Sequence, residues 1–443
     1  MSIPSIKRRS LLTLLPLTAL GLAACADNPR NSTGSGASAS ASVQAVTVTI
    51  TDDGCEISPV SFPAGLVTFT ITNKGTVPNE FEVLTDDKLQ IVSEQESIGP
   101  GTTATLTTAL KEGTYYGASK PNMVGELKGV TELTITPGQE IAVSDDIAKL
   151  EKQAVTNYTA YVRDQVGQLL TATQEFVEVY LSGDVERAKT LYPLARQYYE
   201  RIEPTAEAFG IEEAGDLDAA LDLRIQDLAD DAGKPVTDAS VIEGWTGWHR
   251  IEADLWITEA SSTFKFADDA ARKKIADQLN TDTQSLYDLV YGKIKGAGDK
   301  DFALELTDVA TGASTLMEEV ALTKIVGEEE TFSHTDLYDF KANVEGAQVA
   351  FGNVKDIVVQ NDPDLADTIE KQFKAVEDLL TPHESKSSEG QVAYVDYSTI
   401  AAVQKDAGEK PADTDYTDVQ RKFSDAVNAL SESLSQVASK VLH

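Results

Sequence analysis

The chain reads as a multidomain β + α protein, an N-terminal Greek-key β-sandwich followed by an all-α helical bundle. Three observations predict this. Apolar and polar residues alternate with period two over residues 45–137, apolar residues recur three or four apart from about Ile147 onward, and 443 residues suffice for two domains.

Lys7, Arg8 and Arg9 precede an apolar run from Leu11 to Leu22, followed by Ala23, Ala24 and Cys25. A basic head, a short apolar stretch and small residues before the break describe an export signal peptide over residues 1–24. The rival, a membrane-spanning anchor, asks more length of the apolar run than it has. Leu22-Ala23-Ala24-Cys25 resembles the lipobox of bacterial lipoproteins, which implies cleavage before Cys25 and lipid on that cysteine. The adjacent arginines leave twin-arginine export open beside the general route. Residues 25–44, rich in Asn, Ser, Gly and Ala, read as a flexible tether.

Within the sandwich, assigned to residues 45–140, Val46–Ile50, Val67–Ile71, Ala104–Thr107 and Glu132–Thr136 alternate as half-buried strands do. Pro63-Ala64-Gly65, Asn73-Lys74-Gly75, Gly99-Pro100-Gly101 and Glu112-Gly113 supply the turns between them. In the bundle, residues 147–443, helical stripes run through Tyr158–Leu170, Phe176–Tyr180, Ala188–Tyr199, Ile275–Ile294, Phe302–Val326, Phe340–Val358, Ile369–Leu380 and Val419–Val441. That span exceeds one four-helix bundle, so two stacked bundles or one elongated bundle is expected. Residues 382–416 read as a polar surface loop.

With 72 acidic against 37 basic residues the formal net charge is −35. Such a chain repels phosphate backbones, which excludes nucleic acid, and concentrates cations around itself. Solubility alone also explains an acidic surface. Cys55 is the second of two cysteines. With lipid on Cys25, Cys55 is buried and inert, bonded to another molecule, or a soft metal ligand.

Gly247-Trp248-His249-Arg250-Ile251-Glu252 holds one of four histidines, and Trp245, Trp248 and Trp256 are the chain's three tryptophans. On a helix, residues three apart lie on nearly the same side, so His249 and Glu252 can address one ion. Glu200 and Glu203 have the same spacing, and facing helices carrying such pairs are a known way to hold iron inside a bundle. The bland alternative is a surface His–Glu pair and solvated glutamates. One imidazole with several carboxylates is a hard donor set suited to Fe(III), Fe(II), Mn(II) or Zn(II).

Several strings resemble the EfeO family of bacterial iron uptake lipoproteins. In the β-part these are Asp53-Gly54-Cys55-Glu56, Pro63-Ala64-Gly65, Asn79-Glu80-Phe81-Glu82-Val83-Leu84 and Ile98-Gly99-Pro100-Gly101. In the helical part they are Arg196 through Pro204, Gly244–Trp256, Glu328–Glu330, Ser333-His334-Thr335-Asp336-Leu337, Asp339-Phe340 and Asn343–Gly346. The resemblance implies a cupredoxin-like domain and an imelysin-like domain, the latter nominally a peptidase. It implies an iron site of His249, Glu252, Glu200, Glu203, Asp222 and Glu319, with Asp218 and Glu318 as register alternatives to the last two.

The β-domain cannot form a blue-copper site, which needs two histidines and a cysteine, because every histidine lies at 249 or beyond. The second cysteine that EfeO relatives carry near Tyr115-Tyr116-Gly117 is also absent. Cys55 with Glu56, or Glu80 and Glu82 with Glu94 and Glu96, is expected to form at most a weak auxiliary site for Zn2+ or Cu2+. Met123 alone is a core or loop residue. His334 reads as part of a helix start that Ser333 or Thr335 caps, with a second ligand role as the alternative. His383 and His443 receive no role.

The implied function is an extracytoplasmic, lipid-anchored protein that binds Fe3+ or Fe2+ and delivers it to a membrane iron permease. A haem-dependent peroxidase of the same system is a further implied partner. A zinc metallopeptidase is the first alternative, but the H-E-x-x-H pair is absent. A protein binding acidic polysaccharide is the second, and needs a bridging cation to overcome like charge. No His/Met or Cys-Pro pattern argues for haem as cargo.

Overall fold

The computed structural model describes residues 44–122, 126–138, 147–211, 215–259, 262–296, 298–386, 392–404, 407 and 410–441. The signal peptide, Cys25, all of the tether but Gln44, Met123, the side chain of Glu96 and His443 lie outside the described residues. None of the described helices is long and apolar enough to cross a membrane.

Nine strands form the sandwich: β1 Gln44–Thr51, β2 Gly54–Ser58, β3 Ser61–Pro63, β4 Gly65–Asn73, β5 Asn79–Leu84, β6 Ile91–Ile98, β7 Thr103–Leu110, β8 Gly113–Pro121 and β9 Lys128–Thr136. One sheet has the order β2-β1-β4-β7 and the other β3-β9-β8-β5-β6, with β1 and β4 parallel. The alternation read from sequence turns Val46, Val48, Ile50, Val67, Phe69 and Ile71 inward, against Phe81, Val83, Leu133 and Ile135 of the facing sheet.

β5 departs from simple alternation, because all six of its residues are buried. Phe81 and Val83 face the sandwich core, while Glu80, Glu82 and Leu84 point the other way. That outer face is covered by the first helix, α1 Ile147–Ser182, whose Ala160 packs with Leu84, Ile91 and Ala118. Asp164, one turn on from Ala160, meets Lys120 of β8. The domains therefore share a seam with an apolar patch and a charged one.

After α1 come α2 Val185–Glu200, α3 Leu217–Asp222, α4 Ile225–Ala232, α5 Ala239–Gly244, α6 Gly247–Trp256, α7 Asp269–Val290, α8 Leu306–Leu322, α9 Asp336–Asn361, α10 Pro363–Leu380 and α11 Asp418–Leu434. α1 packs on α2, α7 and α9, and α9 continues to α8 and α10, which flank α11. One continuous core runs from Tyr158 to Val441. A smaller core gathers Trp245, Phe264 and Phe332.

Residues 382–416 differ from the surface loop expected. They hold a hairpin pairing Glu384–Lys386 with Val392–Tyr394 and then a segment that enters the bundle. Tyr397 is fully buried, stacks edge-on against Phe340 and donates its hydroxyl to the Ile325 carbonyl at 2.9 Å. Sparse apolar residues conceal such a segment from periodicity, because side chains spaced irregularly anchor it singly.

Candidate metal centre

The G-x-H-x-x-E string owes its first residue to packing. Gly247 has φ +80°, and a Cβ there would strike the carbonyl oxygen of Leu221. Glycine thus lets α6 start directly against α3, which sets His249 beside Asp222 at the end of α3. Trp248 stacks with Phe176 and Tyr192, and the Trp245 indole N–H donates to the Leu223 carbonyl at 2.8 Å. These contacts hold both short helices in a dry frame.

His249 is 2 % exposed. Its Nδ1 lies 3.2 Å from Glu252 Oε2, and the other Glu252 oxygen accepts the backbone N–H groups of Phe332 at 2.8 Å and Ser333 at 2.7 Å. Its Nε2 lies 3.3 Å from Asp222 Oδ1 and 3.4 Å from Glu329 Oε1, yet forms no aligned hydrogen bond. Ligand atoms on bonds of about 2.1 Å, at tetrahedral to octahedral angles, stand roughly 3.0–3.4 Å apart. The ligand atoms of Asp222, His249 and Glu329, and likewise those of His249, Glu252 and Glu330, all lie within 4.8 Å of one another.

Three permanent cations, with the half-exposed Lys410 on Glu328 as a fourth, neutralise part of this acid. Arg196 of α2, fully buried, pairs with Asp222 and Glu200, and reaches Glu330 at 2.8 Å and Glu329 at 3.3 Å. Lys324 holds Glu203 at 2.7 Å and Glu200 at 3.3 Å, with Asn343 donating to both carboxylates. Arg224 takes Glu328 at 3.3 Å and Glu329 at 2.9 Å. Against them stand Glu200, Glu203, Asp222, Glu252, Glu328, Glu329, Glu330, Asp336 and Asp339, so negative charge is in surplus.

Burial answers the surplus with protons. It drives Glu203, Asp336 and Asp339 well above the usual carboxylate range, and with the Glu330 charge it pushes Glu252 up to about 7. Burial acts the same way on Asp222 and Glu329, but cations override it: Arg196 for Asp222, Lys324 and Arg224 for Glu329. Both are held below the usual range. Burial and Arg196 push His249 down, but Asp222, Glu252 and Glu329 more than reverse this and hold the ring above the ordinary imidazole value.

Of the six residues expected around iron, Asp222, His249 and Glu252 come together. Glu200 and Glu203 instead gather on Lys324, and Glu319 stands at the rim, its side chain 38 % exposed and 3.9 Å from Arg224. Asp218, the register alternative to Asp222, accepts the Tyr199 hydroxyl instead. Glu329 and Glu330, which spacing missed, stand nearest the ring with them. Three consecutive glutamates ordinarily signal a solvated loop, and only their place in the Glu328–Glu330 string marked them.

His334 sits at φ +57° ahead of α9, where Thr335 is the N-cap by position but makes no side-chain capping bond. His383 lies beside Phe423 with ring centroids 6.1 Å apart.

In the β-domain, Cys55 is separate from the glutamates. Its thiol lies on the other sheet, 3.5 Å from the Gly129 carbonyl oxygen, and burial pushes it up to about 11. A thiol so resistant to ionisation is a poor resting metal ligand. Glu80 and Glu82 meet Asp164 within 4.8 Å, with Lys120 among them, 2.8 Å from Glu82 and 3.5 Å from Glu80. Burial pushes all three carboxyls up to about 7, while the ammonium stays charged.

The imelysin family profile, a peptidase M75 family by name, matches residues 154–437, and a cupredoxin-like domain profile matches residues 17–130. The iron uptake system component EfeO of Escherichia coli K12 is 34 % identical over 336 residues, which is 76 % of this chain and 80 % of that protein. The protein of the same description from Shigella flexneri matches equally. Among solved structures, an iron-regulated protein A precursor from Parabacteroides distasonis aligns with TM-score 0.47 and 16 % identity, over 68 % of this chain and 98 % of that one.

Proposed function

Because the chain belongs to the EfeO family of iron uptake components, with a cupredoxin-like and an imelysin domain, we propose that it captures iron through His249 Nε2, Asp222 and Glu329, with Glu252 holding the other ring nitrogen. In this reading the protein works outside the cytoplasm, tethered by lipid on Cys25, and passes Fe3+ or Fe2+ to a membrane permease, with a haem-dependent peroxidase as a further partner. One observation carries it: a buried imidazole nitrogen with no aligned partner, 3.3 Å and 3.4 Å from two ionised carboxylate oxygens. Such a hard, mostly oxygen set suits iron.

The donor set favours carriage over hydrolysis. A zinc peptidase needs a general base with a free oxygen beside its water. Both oxygens of Glu252 are committed, one to two backbone amides and one to the ring. Among the described residues, each clustered group that includes a histidine has only one, His249.

The test is calorimetric titration of the mature protein with ferrous iron under anaerobic conditions. The His249→Ala, Glu252→Ala double variant should lose affinity by at least about a hundredfold. Unchanged affinity would remove the site. Cleavage of an unfolded substrate by zinc-loaded protein, lost in His249→Ala, would replace carriage with peptidase action.

A further inference from the structure

We propose that Arg196 is a place-holding cation, its guanidinium occupying the metal's oxygens until an ion displaces it, so that loading is an exchange rather than a simple filling. This rests on the iron-site reading above. Arg196 pairs through Nη1 with Asp222 Oδ1, and through Nη2 with Glu329 Oε1 at 3.3 Å. Those are the same two atoms that stand 3.3 Å and 3.4 Å from His249 Nε2. An ion bound to the ring nitrogen and both oxygens must therefore take the oxygens from the guanidinium and release the proton that Nε2 carries.

Arginine cannot give up its charge by losing a proton, so it must move. A landing place lies beside it. Asp339 Oδ1 of α9 is 3.7 Å from Arg196 Nε, neither Asp339 oxygen accepts a hydrogen bond, and an arriving guanidinium offsets the burial that favours a proton there. Glu200 and Glu330, already bound to the same side chain, keep hold of it during the shift. The side chain pivots on those two and swings from α3 toward α9.

The exchange sets a threshold for loading. Every incoming ion loses the same guanidinium–carboxylate attraction, while its own attraction to the oxygens grows with its charge. A trivalent ion overcomes the resident cation more readily than a divalent one. Removing the resident lifts that cost for every ion.

The test is titration of the full mature protein with Mn2+ and with Ga3+ supplied as citrate. Wild type is compared with Arg196→Gln, Arg196→Lys, Asp339→Asn and His249→Ala. Arg196→Gln should bind both Mn2+ and Ga3+ about tenfold tighter or more. Asp339→Asn, which removes only the landing carboxylate, should bind both ions severalfold more weakly. If Arg196→Gln does not fold, judged by circular dichroism, Arg196→Lys carries the test, since its single shorter ammonium frees one of the two oxygens and Mn2+ should again bind tighter. Equal or weaker Mn2+ binding in the folded Arg196 variants overturns the exchange and makes Arg196 a positioning residue. Wild type and His249→Ala alike in binding neither ion would overturn the iron site itself, and this inference with it.

Discussion

Two buried acidic clusters in this protein look alike in composition and differ in what they are built to do. At the seam between the domains, Glu80, Glu82 and Asp164 surround Lys120, with no imidazole among them. In the helical domain, carboxylates surround both Arg196 and the ring of His249, whose Nε2 has no aligned partner. The lysine of the first is a point charge central to its cluster and tied to β8, so it acts as a clamp. The second adds a ring nitrogen fixed on one side by Glu252 and presented on the other to two ionised oxygens. In the reading proposed above, the second cluster is the metal site because a ring nitrogen faces its carboxylates and its resident cation has somewhere else to go.

The comparison breaks most easily at the clamp. Lys120→Met leaves three buried carboxyls without their cation, and breaking a buried pair in this way costs about 3–5 kcal/mol. Chemical denaturation should show that loss, together with partial uncoupling of the two domains. A variant as stable as wild type would mean that the seam does not depend on the lysine.

A smaller effect separates ligands from neighbours within the helical cluster. Glu329→Gln should weaken metal binding by about ten- to a hundredfold, as expected on losing a close partner of the ion. Glu203→Gln, on Lys324 rather than His249, should change it by less than about threefold. The reverse order in titration would move the site from the histidine to the lysine basin.

The seam should also respond to pH. Burial raises Glu80 and Glu82 from 4.5, and Asp164 from 3.8, each to about 7. Raised carboxyls contribute stability that is complete below the unfolded values, near pH 4, and lost as pH rises through about 7. Hydrogen exchange of the β5 amides, corrected for intrinsic rates, should show less protection at pH 8 than at pH 6. Protection that grows with pH would contradict this sign. The least effect belongs to Cys55: Cys55→Ser should leave metal affinity unchanged, and a measurable fall would bring the thiol back as a ligand.

Sequence alone determined what depends on local repetition. Period-two alternation located β1, β4, β7 and β9 of the nine strands, three-to-four spacing located the long helices, and G-x-H-x-x-E put His249 and Glu252 on one helix face. Steric and hydrophobic patterning acts over a few residues, so a linear string records it. The tertiary structure alone decided which charges meet. Arg196 reaches Glu329 across 133 positions of chain, Glu200 and Glu203 turn to Lys324, and Glu80 and Glu82 find their lysine on the next strand and their third carboxylate on a helix of the other domain. Nothing in spacing separates a glutamate that faces water from one buried opposite an arginine. Coulomb attraction follows distance in space, and only packed helices and sheets set that distance.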